Sequence, residues 1–536
     1  MNEQTISINP ATLEPNGVVD NTPLDEFPGI FDQARQVQKA WSNLSFKARA
    51  QHIRKMADYI RDNADEIAQS ISNDNGKLKI DALVTEVIPC IGSINWYTKN
   101  ASKVLKSELV LPSNLVFANK VSRRFYEPVG VVGIISPWNY PLSIPFGEII
   151  MALMAGNAVV LKVAADTPTI GLLIERILSA AQLPKGLFTL VTGSGSKVVA
   201  GMLDNGVNKI FFTGSTTAGK AVMKACAEYL VPCSLELGGN DAMVVLDDAD
   251  IEKAVNGALW AGCQNAGQSC GGVKRIYVME SVYDAFVEMA IQKVSALRHG
   301  NNSYDADIGA VTTEKQLLSL KKDLDAALEQ GARVVAQSQP VGGQNGFFFP
   351  ATLLVDVEHD MPFIQDEIFG PFLPVVKVHT EHEAIQKAND SQYGLTASVW
   401  TKSKKRGKAV AAQLEAGAVT INDHLYTHGL AETEWGGPKD SGIGRTHGKL
   451  GLLEMVEPKV VNWDWFAVMR KNPWWFPFNE KKYQSMKKSA ELMNPRSPFH
   501  WLFYLVTYLP TQVVKSMIPW KVKPAKAKNK VAAKKK

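Results

Sequence analysis

Apolar side chains recur at three- and four-residue spacing among Lys, Arg, Asp and Glu from residue 30 to 61, and again over 64–73. That period collects them on one face of a helix, so the first hundred residues read as amphipathic helices. From about Phe125 the texture changes. Residues 129–135 form a short, almost wholly apolar run, as expected of a strand buried on both faces. The run stops at Ser136-Pro137-Trp138-Asn139-Tyr140-Pro141, where two prolines enforce a loop. Residues 158–162, 186–191 and 209–213 are further compact apolar runs, each followed by a helical stretch. A second alternating series extends from Met243 to about Gly436, with strand-like segments at 242–246, 275–278, 397–400 and 418–422. Strand and helix alternating in this way predict an α/β fold built on parallel sheets covered by helices.

Composition narrows the class. With 536 residues, 46% of them hydrophobic and 21% charged, the chain suffices for two to four units and a large core. Its N-terminus lacks a basic stretch followed by an apolar run, so no cleavable secretory signal is expected. Cys90, Cys226, Cys233, Cys263 and Cys270 are odd in number and without zinc-type spacing, which predicts reduced thiols in a cytoplasmic setting and no metal. The net charge of +5 is local: eight lysines lie between 521 and 536, so the rest of the chain stands at −3. Nothing in that body predicts a nucleic-acid partner.

The C-terminal stretch is different. Six of the twelve tryptophans lie from Trp463 to Trp520, and residues 501–509 are almost wholly apolar. Nine helical residues span about 14 Å, too short for a hydrocarbon core of roughly 30 Å. An apolar, aromatic segment followed by a lysine tail predicts peripheral membrane association through 499–536, at the cytoplasmic face of a membrane. Packing of the same segment onto the enzyme or a subunit interface is the alternative.

Three segments carry candidate chemistry. Residues 211–220, Phe-Phe-Thr-Gly-Ser-Thr-Thr-Ala-Gly-Lys, place small residues between a strand and a helix that continues to about Tyr229. A helix start of this kind can hold a pyrophosphate, although many glycine-rich turns hold none. Glu236, in Leu235-Glu236-Leu237-Gly238-Gly239-Asn240, is a carboxylate among leucines; such a setting raises its pKa and suits a base, or else a paired structural glutamate. Cys270 lies among small residues in Asn265-Ala266-Gly267-Gln268-Ser269-Cys270-Gly271-Gly272, with room for a carbonyl beside the thiol. A lone cysteine is more often an inert core residue.

Taken together these segments resemble the aldehyde dehydrogenase superfamily over roughly residues 25–465. The likeness rests on Ser136-Pro137-Trp138-Asn139, Phe212-Thr213-Gly214-Ser215, Leu235-Glu236-Leu237-Gly238-Gly239 and Gly267-Gln268-Ser269-Cys270, then on Glu367-Ile368-Phe369-Gly370-Pro371 and residues 436–445. The resemblance implies a Rossmann-like cofactor domain (1–108 and 130–236) and an α/β catalytic domain (237–440). It also implies a small β extension that joins subunits (109–129 and 441–466), with 467–536 as a C-terminal extension. It implies oxidation of an aldehyde to a carboxylate with NAD or NADP, in a homodimer or homotetramer. By the same resemblance Cys270 is the nucleophile, Asn139 and the Cys270 N–H hold the oxyanion, and Glu236 activates water. Lys162 corresponds to an adenosine-ribose contact, Glu367 to a nicotinamide-ribose contact and Phe369 to the aromatic beside the nicotinamide. Gly214 and Ser215 face the pyrophosphate, and Ser136, Pro137, Trp138 and Leu237 complete the cofactor-binding set.

Two departures from the family pattern matter. NAD-preferring members continue Pro-Ser-Glu after the lysine, whereas this chain reads Lys162-Val163-Ala164-Ala165, which predicts relaxed or NADP-tolerant selectivity, with Asp166 able to take the acid's place. Where relatives carry a lysine, or a lysine and an arginine, the helix after the Pro-Trp-Asn loop has Gly147 and Glu148. A dicarboxylic semialdehyde is therefore disfavoured, and Tyr140, Phe146 and Trp260 predict a channel for apolar aliphatic or aromatic aldehydes. A CoA-acylating relative would resolve its thioester with CoA and typically lacks the glutamate base; a retired enzyme fold used for binding would have lost Cys270, Asn139 or Glu236.

Overall fold

The computed structural model describes residues 3–499 apart from 114–116, 118, 302–303, 344, 466–470, 473 and 495–496, and of the later residues only Leu502 and Val506. The chain divides into two compact units, one of residues 1–105 and 127–457, the other of 106–126 and the segment from Pro458.

The first unit opens with an antiparallel pair, Gln4–Ile8 and Pro15–Asp20, which precedes the expected helices. The periodic stretch 30–61 is two helices rather than one, Phe27–Ser42 and Phe46–Asp62. Ser45 starts the second by accepting a hydrogen bond from the Ala48 N–H at 3.2 Å, a cap that hydrophobic spacing alone does not register.

Two sheets follow. The first has six strands in the order Gly442–Ile443, Cys233–Glu236, Lys209–Thr213, Val131–Ile135, Ala158–Lys162 and Phe188–Val191, parallel except at the Gly442 edge. Its middle strands are buried at every position, which accounts for their unbroken apolar runs. The second sheet has seven strands, in the order Arg333–Gln337, Thr352–Val355, Phe372–Val378, Val273–Met279, Asp241–Val245, Thr396–Trp400 and Ala418–Ile421. Thr352–Val355 and Phe372–Val378 lie inside it and were not among the sequence-predicted strands. The main core lies on this sheet, where Met243, Val244, Ile276, Val278, Leu353 and Val399 are inaccessible to solvent or nearly so.

In the first sheet the chain runs outward from Val131–Ile135 through two strands, then returns to lay Lys209–Thr213 on the opposite side. That reversal opens a crevice at the carboxyl ends of these two strands, the usual ligand position in open α/β sheets.

The second unit contains a three-stranded sheet with Lys120–Pro128 between Glu108–Val110 and Val456–Asp464, and a helix, Glu480–Met493, capped by Asn479. Among the described residues no helix is long and apolar enough to cross a membrane. The segment expected to meet a membrane, 499–536, lies almost wholly outside the described residues.

Candidate active site

The sequence-predicted site residues gather on two sheet edges. Asn139, Lys162, Gly214 and Glu236 follow or end strands of the first sheet, at its carboxyl edge. Cys270 and Glu367 precede strands Val273–Met279 and Phe372–Val378, at the amino edge of the second.

The loop bearing Cys270 is held in an unusual backbone conformation. Asn265 and Ala266 have φ of 53° and 52°, both left-handed, which costs on the order of 1–2 kcal/mol per residue without compensation. The compensation is a dense set of hydrogen bonds. Asp81 accepts from the Asn265 N–H at 2.8 Å, the Asn265 amide donates to the Asn139 carbonyl at 2.8 Å, and Gln268 Nε2 donates to the Asn265 carbonyl at 3.0 Å. A Cβ at Gly239 would strike the Cys270 carbonyl and one at Gly238 the Glu367 carboxylate, which explains the paired glycines after Leu237.

Asn139 is buried and is fixed from both ends. Its carbonyl accepts from Lys77 Nζ at 2.9 Å, and its Nδ2 donates to the Gln268 carbonyl at 3.2 Å, which uses one of two amide hydrogens. Burial pushes the Cys270 thiol up to about 12, helped by the charges of Glu367, Asp241 and Glu236 and opposed by the Gly271 N–H.

Glu236 ends its strand in a dry setting. Both carboxylate oxygens are buried and neither has a hydrogen bond of normal geometry. Burial drives its pKa well above the carboxylate range, Glu148 adds to this, and Arg445 acts the other way. A carboxyl in such surroundings favours its protonated form and is suited to exchange a proton rather than to serve as a fixed charge.

On the opposite side are features that fit a dinucleotide. Ser215 caps the 14-residue helix Thr216–Tyr229, and Gly214, whose N–H donates to the Glu236 carbonyl at 3.0 Å, leads into it. The first N–H groups of that helix point out of its end, where an anion is stabilised. The Ser136 hydroxyl is buried without a partner, as a group awaiting a ligand would be. Lys162 is buried at its strand end; burial lowers its pKa and the charge of Asp166 counters this. Trp138 and Phe369 meet edge to face at 5.6 Å, and Glu367 accepts from the Gly239 N–H at 3.1 Å. Burial raises the Glu367 carboxyl to about 7. Leu237 is buried, donates its N–H to the Ser441 carbonyl at 2.9 Å and fills the space opposite Gly219.

A cavity of about 160 Å³ opens on the thiol side, where Tyr140, Trp260, Leu425, Tyr426 and Trp435 stand around Cys270. Phe146, expected to line this channel, is instead fully buried within the helix Ser143–Ala155. Among the described residues of the cavity wall the only ionisable nitrogen is that of His428, which stacks on Tyr140 at 5.9 Å. Burial, and then the charge of Lys77, lower its pKa to about 4, so the ring is neutral.

Several supporting residues were not singled out in the sequence. Lys77 and Glu86 form a fully buried ion pair at 2.6 Å, and Glu86 also accepts from the Leu142 N–H at 2.7 Å. Together they brace the loop that presents Asn139. Lys274 donates to the Gly267 carbonyl at 2.7 Å and lies 5.1 Å from the centre of the Phe369 ring. Lysine at a buried strand position, four residues past the thiol, was the one available clue.

Comparison with known proteins fits this geometry. The profile described as "Aldehyde dehydrogenase family" matches residues 1–461. The 4,4'-diapolycopene aldehyde oxidase of Methylomonas sp is 35% identical over 455 residues, covering 85% of this chain and 84% of that protein. The NADP(+) succinate-semialdehyde dehydrogenase of Escherichia coli (strain K12) is 34% identical over 455 residues, covering 84% and 93%. Among solved structures, the NAD+ complex of an aldehyde dehydrogenase from Bacillus cereus superposes with a TM-score of 0.82 at 32% identity, covering 86% of this chain and 94% of that one.

Proposed function

The chain belongs to the aldehyde dehydrogenase family and is an NAD(P)-dependent aldehyde dehydrogenase; from that premise we propose that it oxidises apolar aldehydes through a thioester on Cys270, which Glu236 opens with water. The observation that carries this reading is the buried, unpartnered carboxyl of Glu236 set electrostatically against the Cys270 thiol.

The Cys270 thiol gives its proton to water in the cavity as Sγ bonds to the carbonyl carbon, and the carbonyl electron pair moves onto oxygen. The free amide hydrogen of Asn139 and the Cys270 N–H receive that oxyanion, where negative charge develops. Gly214, Ser215, Ser136 and Lys162 would hold the phosphates and adenosine ribose of the cofactor, and Glu367, with Trp138 and Phe369 beside it, the nicotinamide end. Pro137 and Leu237 form part of the same wall. When bound there, NAD(P)+ supplies the acceptor for the hydride that leaves as the oxyanion collapses to a thioester. Glu236 then takes a proton from water, the water oxygen attacks the acyl carbon, and Sγ departs.

Glu236→Gln is expected to keep the first-turnover burst of NAD(P)H while steady-state kcat falls about 10²–10⁴-fold. Cys270→Ser should lose both. A Glu236→Gln enzyme that turns over at the wild-type rate would overturn the assignment of the base.

The cavity wall supports the substrate class, since no Arg or Lys stands among its described lining residues and most are aromatic or aliphatic. The likeness to an oxidase of 4,4'-diapolycopene aldehyde favours the same class. In a panel of straight-chain, aromatic and semialdehyde substrates, kcat/KM for medium-chain and aromatic aldehydes should exceed that for succinic semialdehyde by at least about tenfold, roughly 1.4 kcal/mol. The reverse order would refute the preference. The enzyme works as a homodimer or homotetramer, a reading supported by the exposed apolar strands of the second unit.

A further inference from the structure

The helix Ser143–Ala155 is buried along its whole length, and Glu148 is its single charged residue. A lone carboxyl in such a helix needs a partner, and Glu148 is poorly supplied. Its Oε1 lies 3.5 Å from the Thr213 hydroxyl and its Oε2 is buried without any partner. Thr213 is also the strand neighbour of Glu236, paired with it in parallel register. Thr213 therefore stands beside both buried carboxyls, three of whose four oxygens lack a hydrogen bond of normal geometry, with the Thr446 N–H turned toward Glu236.

The surroundings do not neutralise the two charges. From the helix Ile88–Val104 comes Tyr97, whose buried hydroxyl also lacks a partner. From the C-terminal side come Arg445, which lowers the Glu236 pKa, and Glu454, which raises it. His447 lies against Gly147 and is kept neutral by burial. Glu86 is bound to Lys77, Lys209 is bound to Glu454, Arg49 sits at the far end of the helix beside Gly156, and Lys162 ends a neighbouring strand. Arg445 is the cation that acts on Glu236, and two like charges in a dry site cannot both ionise near neutrality. In keeping with this, burial raises Glu148 to about 8, and Glu148 is the first charge acting on Glu236.

We propose that Glu148 and Glu236 act as one electrostatically coupled pair of buried carboxyls, Glu148 being the positioning residue that sets the pH at which Glu236 becomes a base. The inference rests on Glu236 being that base. With Glu148 ionised, its charge holds the proton on Glu236; without that charge, Glu236 ionises at lower pH. Glu148→Gln keeps the shape and removes the charge.

The test follows decay of the acyl-enzyme in single turnovers across pH. In Glu148→Gln the acid limb should move down by roughly one pH unit or more, so that hydrolysis at and above pH 8, where Glu148 is ionised in the wild type, becomes faster. A limb that stays in place overturns the pairing. Infrared difference spectra between pH 6 and 9 provide a second reading. Glu367 and Asp241 also titrate in this range, so the band that counts is a protonated-carboxyl C=O band of the wild type that is lost or shifted in Glu148→Gln, and spectra that this change leaves identical overturn the coupling. Glu236→Gln separates the two layers: if it hydrolyses the thioester normally, the base assignment fails whatever Glu148→Gln does.

Discussion

At the scale of single residues, the site depends on groups that never touch substrate. Lys77 and Glu86 are both inaccessible to solvent, so removing one leaves the other's charge buried. Lys77→Met should cost about 3–5 kcal/mol of stability, read from denaturant unfolding. The double change Lys77→Met with Glu86→Gln should recover part of that loss. A Lys77→Met protein as stable as wild type would show that the pair adds nothing. The variant should also lower kcat more than it raises KM, because the Asn139 carbonyl loses its ammonium partner and the amide beside the thiol is no longer held.

At the scale of elements, selectivity between cofactors turns on the end of the strand Ala158–Lys162. Past it, Ala165 offers neither a carboxylate to a ribose nor repulsion to a phosphate, and Asp166 is near enough for its charge to act on Lys162. Ala165→Glu should therefore reduce kcat/KM with NADP by about tenfold, roughly 1.4 kcal/mol, while leaving NAD use nearly intact. Equal losses with both cofactors would mean that the position does not read the phosphate. Elements were the most legible level of this sequence. Strands 158–162 and 209–213 announced themselves because a strand covered on both faces is apolar without interruption. Thr352–Val355 and Phe372–Val378 did not, since Pro374 and neighbouring polar residues blur their runs. Asn139, Glu236 and Cys270 could be singled out because their segments, taken together, resemble one family, although each segment alone also admits a structural reading. Lys77, Glu86 and His428 were not, because they reach the site from segments remote in sequence whose local patterns look like ordinary helix or loop. The importance of Glu148 showed only as a missing cation, and its burial beside a second carboxyl is a property of packing.

At the scale of the whole molecule, the second unit presents an edge strand, Val456–Asp464, exposed at every position after Val456. An edge of this length with Val460, Val461 and Trp463 in solvent is a template for pairing with another chain. Val461→Asp is expected to lower the mass measured by light scattering toward that of one chain, with circular dichroism unchanged. A mass equal to that of wild type would move the subunit contact elsewhere. The placement of thiol and base on different sheets bears on how such an enzyme can change. Cys270 belongs to the half built on Asp241–Val245 and its neighbours, Glu236 to the half that ends just before it. With Cys270 and Glu236 in the roles proposed, neither half is chemically complete, so a chimaera that exchanges residues 241–436 with those of a relative inherits its nucleophile from one parent and its water-activating group from the other. Such hybrids should form the acyl-enzyme more readily than they release it, because the first step needs mainly the transplanted half and the second needs the seam between two unrelated parents to be right.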